Sequence, residues 1–167
     1  MATIEEKIKS PNIKVYLHDV LLACGAKKTR AERIALLRSY RDKSPENAKC
    51  VTQFMECLTH PKVKFDLPEG IPPIKDNGVT DSNNAPIPFT KVFAKVPYFV
   101  ATCATYIKGQ IKREQVFIQI LESMYRPEAE LFCMVKDKKI DGKVYRGVTE
   151  ALLIEAFMPD APKPSGN

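Results

Sequence analysis

The sequence predicts an all-α protein, and three observations carry that reading. Apolar residues recur at three- and four-residue intervals in about six segments. No segment alternates apolar and polar residues as a half-buried strand would. The breakers keep apart from these segments, with more than half of the 13 prolines lying between Pro61 and Pro97. A chain of 167 residues suits one domain and can bury roughly 70% of its unfolded surface. The reading is a single helical domain over 1–159, with two helical subsets joined by a proline-rich arm at 61–97, and a disordered tail over 160–167.

The residues before Ser10 read as a frayed terminus that includes Lys7 and Lys9, and are too charged for a signal peptide. A first helix is expected from Ile13 to Cys24, started by Ser10-Pro11-Asn12 and stopped by Gly25. The second opens at Thr29, an N-cap with Glu32 at capping-box spacing. Ile34, Leu37 and Tyr40 form its apolar stripe, and Arg30, Arg33, Arg38 and Arg41 crowd the remainder. The third follows Ser44, with Pro45 in its first turn, and carries Cys50, Val51, Phe54, Met55 and Leu58.

The arm that follows holds two turn-forming runs, Asp76-Asn-Gly78 and Asp81-Ser-Asn-Asn84. Val63, Phe65, Leu67, Ile71 and Ile74 predict that parts of it adhere to the body, with order near Phe65 and mobility over 77–85. Beyond it, Phe93 to Ile107 reads as a central helix that Pro97 either begins or kinks. Ile111 to Tyr125, Glu128 to Val135 and Thr149 to Phe157 complete the helices. Phe54, Phe93, Phe99, Phe117 and Phe132 sit at core spacing, and without any Trp the chain lacks an obvious base-stacking platform.

Composition narrows the function classes. Hydrophobic content of 44% and charged content of 28% are ordinary for a globular chain, and no run reaches the ~18 apolar residues of a membrane span. The five cysteines, Cys24, Cys50, Cys57, Cys103 and Cys133, lie among apolar residues without a Cys-x-x-Cys pair, so buried free thiols are expected. With only His18 and His60 beside them, no metal site is expected, and His18 reads as a satisfied structural residue. Lys139-Ile-Asp-Gly142 has the Lys-x-Asp-Gly form of nucleotidyltransferases, but too few residues follow it to build such a domain. Glycine-rich phosphate loops, paired carboxylates and nucleophile–base pairs are missing, so the expectation is a non-enzymatic protein without cofactor.

The charge points towards polyanions. A net +6 with pI near 9.0 is concentrated in two zones. One is Lys27, Lys28, Thr29, Arg30 and Arg33; the other is the loop carrying Lys136, Lys138, Lys139, Lys143 and Arg146, leading to Thr149. Lys108, Lys112 and Arg113 form a smaller third group. Cations at helix starts oppose the helix dipole, so a cluster of them there hints at an external anion. Cations on a short anchored loop suit the phosphate backbone of duplex DNA without base readout. The expected partner is therefore duplex DNA, bound by a monomer or weak oligomer away from membranes. The alternative is a protein-interaction factor that does not bind DNA.

The run Ala26-Lys-Lys-Thr-Arg-Ala-Glu-Arg-Ile-Ala-Leu-Leu-Arg-Ser-Tyr40, the helix Cys50-Val-Thr-Gln-Phe-Met-Glu-Cys-Leu58 and the segment His60-Pro-Lys-Val-Lys-Phe65 resemble the N-terminal helical DNA-binding domain of ATP-dependent DNA ligases. So do Glu128-Ala-Glu-Leu-Phe-Cys-Met-Val-Lys136, the lysine-rich loop after it and Val148-Thr-Glu-Ala-Leu-Leu-Ile154. The resemblance implies that both basic zones face DNA. The loop departs from the ligase pattern, carrying lysines where many ligases have a small Gly-x-Ser run. The chain is also similar to small proteins of large tailed phages, through Phe65-Asp-Leu-Pro-Glu-Gly-Ile-Pro-Pro73, Lys112-Arg-Glu-Gln-Val-Phe-Ile-Gln-Ile-Leu-Glu122 and Tyr145-Arg-Gly-Val-Thr-Glu-Ala-Leu152. That similarity implies work in the cytoplasm of an infected host cell, or in the virion, and makes the alternative protein-interaction factor a modulator of a host protein or a structural component of the virion.

Overall fold

Every regular element among the described residues is helical. A computed structural model describes residues 3–75 and 86–158; the expected mobile stretch at 77–85 and the tail at 160–167 lie outside them. The α-helices are α1 (Ile4–Lys9), α2 (Leu17–Ala26), α3 (Arg30–Asp42), α4 (Pro45–Thr59), α5 (Phe89–Val92), α6 (Gln110–Glu122), α7 (Arg126–Lys136) and α8 (Glu150–Phe157). A 3₁₀ helix at Phe93–Phe99 continues α5. These residues form two compact units, one from 3–55 with 140–158 and one from 56–75 with 86–139.

In the first unit, the amino-terminal residues are helical rather than frayed. Thr3 caps α1 by accepting from the Glu6 amide at 3.1 Å, and Ile8 is buried. At the other end Lys43 Nζ donates to the carbonyls of Lys7, Ile8 and Ser10 at 3.3, 2.8 and 2.6 Å. Thr3 and Glu6 have the spacing of a capping box, a signal that charge density at Lys7 and Lys9 masks. Helix α2 begins at Leu17 rather than Ile13, which is 39% exposed, and runs past Gly25 to Ala26.

Helices α3 and α4 begin where their caps predict. The Glu32 amide donates to Thr29 Oγ1 at 3.1 Å, and the Asn47 amide to Ser44 Oγ at 3.0 Å. Leu36, Leu37 and Tyr40 bury the apolar stripe of α3. Much of its arginine stripe serves α8. Arg38 donates to the Glu155 carbonyl at 3.0 Å and the Ala156 carbonyl at 3.3 Å, and Arg41 to the Ala156 carbonyl at 3.2 Å. Those carbonyls end α8 and have no intrahelical donor, so the arginines act as its carboxy-terminal cap.

The second unit is built around Phe132 of α7. The rings of Phe65, Phe89, Phe93 and Phe117 lie with centroids 5.9, 6.1, 5.7 and 5.8 Å from it, and Phe99 stands edge-on to Phe117 at 5.2 Å. Of the aromatics expected in the core, Phe93, Phe99, Phe117 and Phe132 are buried in this unit, and Phe54 is buried in the first. The expected helix over Phe93–Ile107, however, does not form. One 3₁₀ segment holds Pro97 and ends at Phe99, and turns follow. Proline has no N–H for an i−4 bond and its ring clashes with that carbonyl, so the apolar run continues without α geometry. The residues from Pro61 to Lys75 contain no helix or strand. They are held where the Asp66 amide meets the Phe99 carbonyl at 2.7 Å, the Gly70 amide meets Asp137 Oδ2 at 2.9 Å and the Lys75 amide meets Glu122 Oε2 at 2.8 Å.

Candidate nucleic-acid interface

Many of the cations that make the sequence basic are used inside the fold. Lys136, only 6% exposed, donates to the Pro68 carbonyl at 2.6 Å and to Asp137 at 2.5 Å. Lys138 donates to the Cys57 and His60 carbonyls at 2.7 and 2.8 Å, close to the end of α4. Arg113, also 6% exposed, donates to the carbonyls of Asp66, Ile107 and Lys108. Placed on carbonyls that helix ends and loops leave without a donor, these side chains keep little freedom to meet a ligand.

The first basic zone shows the same division. Lys27 pairs with Glu5, and that hydrogen bond raises the lysine's pKa and lowers the carboxylate's. Arg30 pairs with Glu155 at 2.9 Å, both about half exposed. Thr29 Oγ1 accepts from the Glu32 amide and donates to its carboxylate at 2.9 Å, while Thr149 Oγ1 accepts from the Leu152 amide at 3.1 Å. Both threonine hydroxyls therefore act as helix caps, the role the sequence predicts for Thr29, although the sequence also groups both residues with the basic zones. Arg33 is half-buried, and Nε, NH2 and NH1 donate to the carbonyls of Lys27, Gly25 and Gly147 at 3.0, 3.4 and 3.3 Å.

Two turns of the first unit are thereby brought together, one entering α3 and one entering α8. The second is shaped from its own sequence. Asp141 accepts from the amides of Val144 and Tyr145 through its carbonyl, and from the Lys143 amide at 2.8 Å through its carboxylate. Tyr145 is buried, with its hydroxyl 2.7 Å from His18 Nδ1, so the residues on either side, Val144 and Arg146, face outward. Gly147 has φ +79°, which favours glycine. Gly25 permits the approach from α2, because a Cβ there would lie 2.1 Å from the Arg146 carbonyl oxygen.

After these interactions, Lys28, Lys143 and Arg146 remain in the first unit as exposed side chains without a hydrogen bond or ion pair to any described residue. Lys139 has the same status in the second unit. Sequence reasoning named all four but could not separate them from Arg33, Lys136 and Lys138. It missed Gly25, Gly147 and Tyr145 as the residues that shape the site; the Cys24-Gly25-Ala26 and Arg146-Gly147-Val148 steps were the available signals. Among the described residues, no group of three or more His, Cys, Asp or Glu side chains is arranged to hold a metal ion, and no helix is long and apolar enough to cross a membrane.

A family model described as a family of unknown function (DUF6433) matches residues 20–142, and the chain belongs to that family. No curated protein and no solved structure matches it.

Proposed function

We propose that this member of the DUF6433 family is a non-catalytic accessory protein that binds duplex DNA through backbone phosphates with little sequence specificity. The observation carrying the proposal is the division among its cations. Lys28, Lys143 and Arg146 are exposed and uncommitted on turns in backbone contact, while their neighbours Lys27, Arg30 and Arg33 are engaged internally. Positive side chains on a rigid, locally shaped backbone present fixed points to a polyanion at low entropic cost. The resemblance to ligase DNA-binding domains supports this choice of surface. The similarity to tailed-phage proteins supports a place of action in the infected host cytoplasm.

The reading is tested by anisotropy titration of a labelled duplex over a range of salt concentrations. With about three phosphates engaged, log affinity should fall against log salt with a slope near −3. Reversing Lys28 and Arg146 together should reduce that slope by about two and weaken all duplex sequences alike. The same reversal at Lys7 and Lys9 should change it little. No binding at low salt, or equal effects from the two pairs, refutes the site.

A protein-interaction role has its own observation: Ile111 of α6 is 76% exposed and Ile71 is 48% exposed, both in the second unit. Capture of a phage or host protein that survives nuclease treatment and is lost in Ile111→Asp would favour that role over DNA.

A further inference from the structure

Arg33 is the one member of the first basic zone whose guanidinium is engaged at all three nitrogens by backbone carbonyls, those of Gly25, Lys27 and Gly147. The first two acceptors lie at the end of α2 and on its C-cap residue, just before Lys28, and the third follows Arg146. The two uncommitted cations thus spring from backbone one residue away from carbonyls held by the same planar group. Both approaches are close: a Cβ on Gly25 would meet backbone, 2.1 Å from the Arg146 carbonyl oxygen, and a Cβ on Gly147 would lie 2.9 Å from Arg33 NH1 and 3.0 Å from its Cζ, so that the guanidinium would have to shift.

We infer that Arg33 is a positioning residue that couples the Lys28 and Arg146 turns into one two-point clamp on a DNA backbone, and that it does not itself touch phosphate. The inference rests on the DNA-binding function proposed above. A guanidinium presents its donors on three separate nitrogens in a rigid planar fork, whereas a lysine ammonium gathers its acceptors round a single nitrogen, as Lys43 does, and cannot span carbonyls spread along that fork. With the fork in place, a phosphate bound by Lys28 fixes where the next can meet Arg146, so the ordering cost is met before binding. Without it the two cations act separately. Val148 N donates to the Tyr145 carbonyl at 3.1 Å within the second turn, and the Tyr145 hydroxyl, 2.7 Å from His18, anchors that turn to α2. Neither contact reaches Lys27 or Lys28, whose backbone the Arg33 fork joins to that of Gly147.

The test is a double-mutant cycle of Lys28→Ala and Arg146→Ala, measured by anisotropy on a short duplex, in the wild-type chain and in Arg33→Lys. The expected result is a cycle that departs from additivity by about fivefold in the wild type and closes to additivity in Arg33→Lys, although the total charge is unchanged. Amide exchange without DNA supplies a second readout: Arg33→Lys should speed exchange in both turns together and leave the interior of α3 protected. Gly147→Ala, which displaces the guanidinium and keeps every charge, should abolish the coupling in the same way and serves if Arg33→Lys folds poorly. An additive cycle in the wild type overturns the inference while DNA binding stands. So does coupling that persists in Arg33→Lys. A wild-type chain that binds no duplex overturns the proposed function and the clamp with it, even if exchange still reports that Arg33 joins the turns.

Discussion

Lys138 shows how one side chain can be fixed by two opposed requirements. Its φ of +57° is in the left-handed region, where glycine ordinarily ends a helix. The amides of Lys138 and Lys139 close α7 by donating to the carbonyls of Val135 and Met134. A lysine stands there because its ammonium also reaches the Cys57 and His60 carbonyls. Left-handed backbone costs a non-glycine residue roughly 1–2 kcal/mol, and a hydrogen bond from a charged donor contributes about 1.5–3 kcal/mol. Lys138→Met should therefore destabilise by about 3 kcal/mol in urea denaturation, since it keeps the strain and loses both bonds. Lys138→Gly should cost about 1 kcal/mol less than Lys138→Met, because the strain goes too. If the two variants are equally stable, the strain is not real. At Gly147, alanine meets both an unfavourable φ and the Arg33 guanidinium; a loss of about 2 kcal/mol is expected from the same measurement.

At the scale of the element, legibility follows local chemistry. The start of α3 was readable because Thr29 carries a hydroxyl that caps the following turn, an interaction complete within four residues; the hydroxyls of Ser44 and Thr149 cap α4 and α8 in the same way. Thr149→Ala should lower stability by about 1 kcal/mol and raise amide exchange at Leu152 first. The Phe93–Ile107 run misled because the apolar content of its first part, Phe93 to Val100, records burial, which 3₁₀ turns satisfy when proline interrupts the backbone bonds, while the residues from Ala101 to Ile107 are exposed or half-buried turns. Helix α7 places Phe132 at the meeting point of four phenylalanine rings. Truncating it leaves a cavity that such a cluster closes poorly, so Phe132→Ala should cost about 4 kcal/mol. A cost below about 2 kcal/mol would mean that the neighbouring rings collapse into the space.

Across the whole molecule, the cysteines predict how stability depends on alkaline pH. Burial pushes the Cys24 thiol up to about 11 and those of Cys57 and Cys133 up to about 12, from an ordinary value of 9.0. A thiol held neutral in the fold contributes its full stabilisation below 9.0. Above that, the unfolded chain gains by ionising while the folded chain does not, so stability should fall as pH climbs from 9.0 towards 11 and 12. Urea midpoints across that range check the trend, and Cys24→Ala should flatten its first part. Near neutral pH, Cys103 is the half-buried thiol among four buried ones and should react first with a maleimide, the others following on unfolding. At acid pH the carboxylates of Glu5 and Asp42, held low by hydrogen bonds from Lys27 and Arg41, stabilise the fold above their ordinary values of 4.5 and 3.8. That contribution is lost as pH falls through the lowered values, and it is modest because both carboxylates are well exposed.

By itself the sequence determined the helical class, the cap that begins α3, the aromatic core positions and the concentration of cations around α3 and before α8. All of these depend on periodicity or on partners a few residues apart. Only the tertiary structure decided which cations are available. Arg33 meets Gly147 across 114 positions, Arg38 meets Glu155 across 117 and Lys138 meets Cys57 across 81, and no local pattern marks a carbonyl left without a donor at the end of a distant helix. A lysine committed to such a carbonyl and a lysine facing solvent are the same letter in the chain. What separates them is the desolvation of the acceptor each one finds.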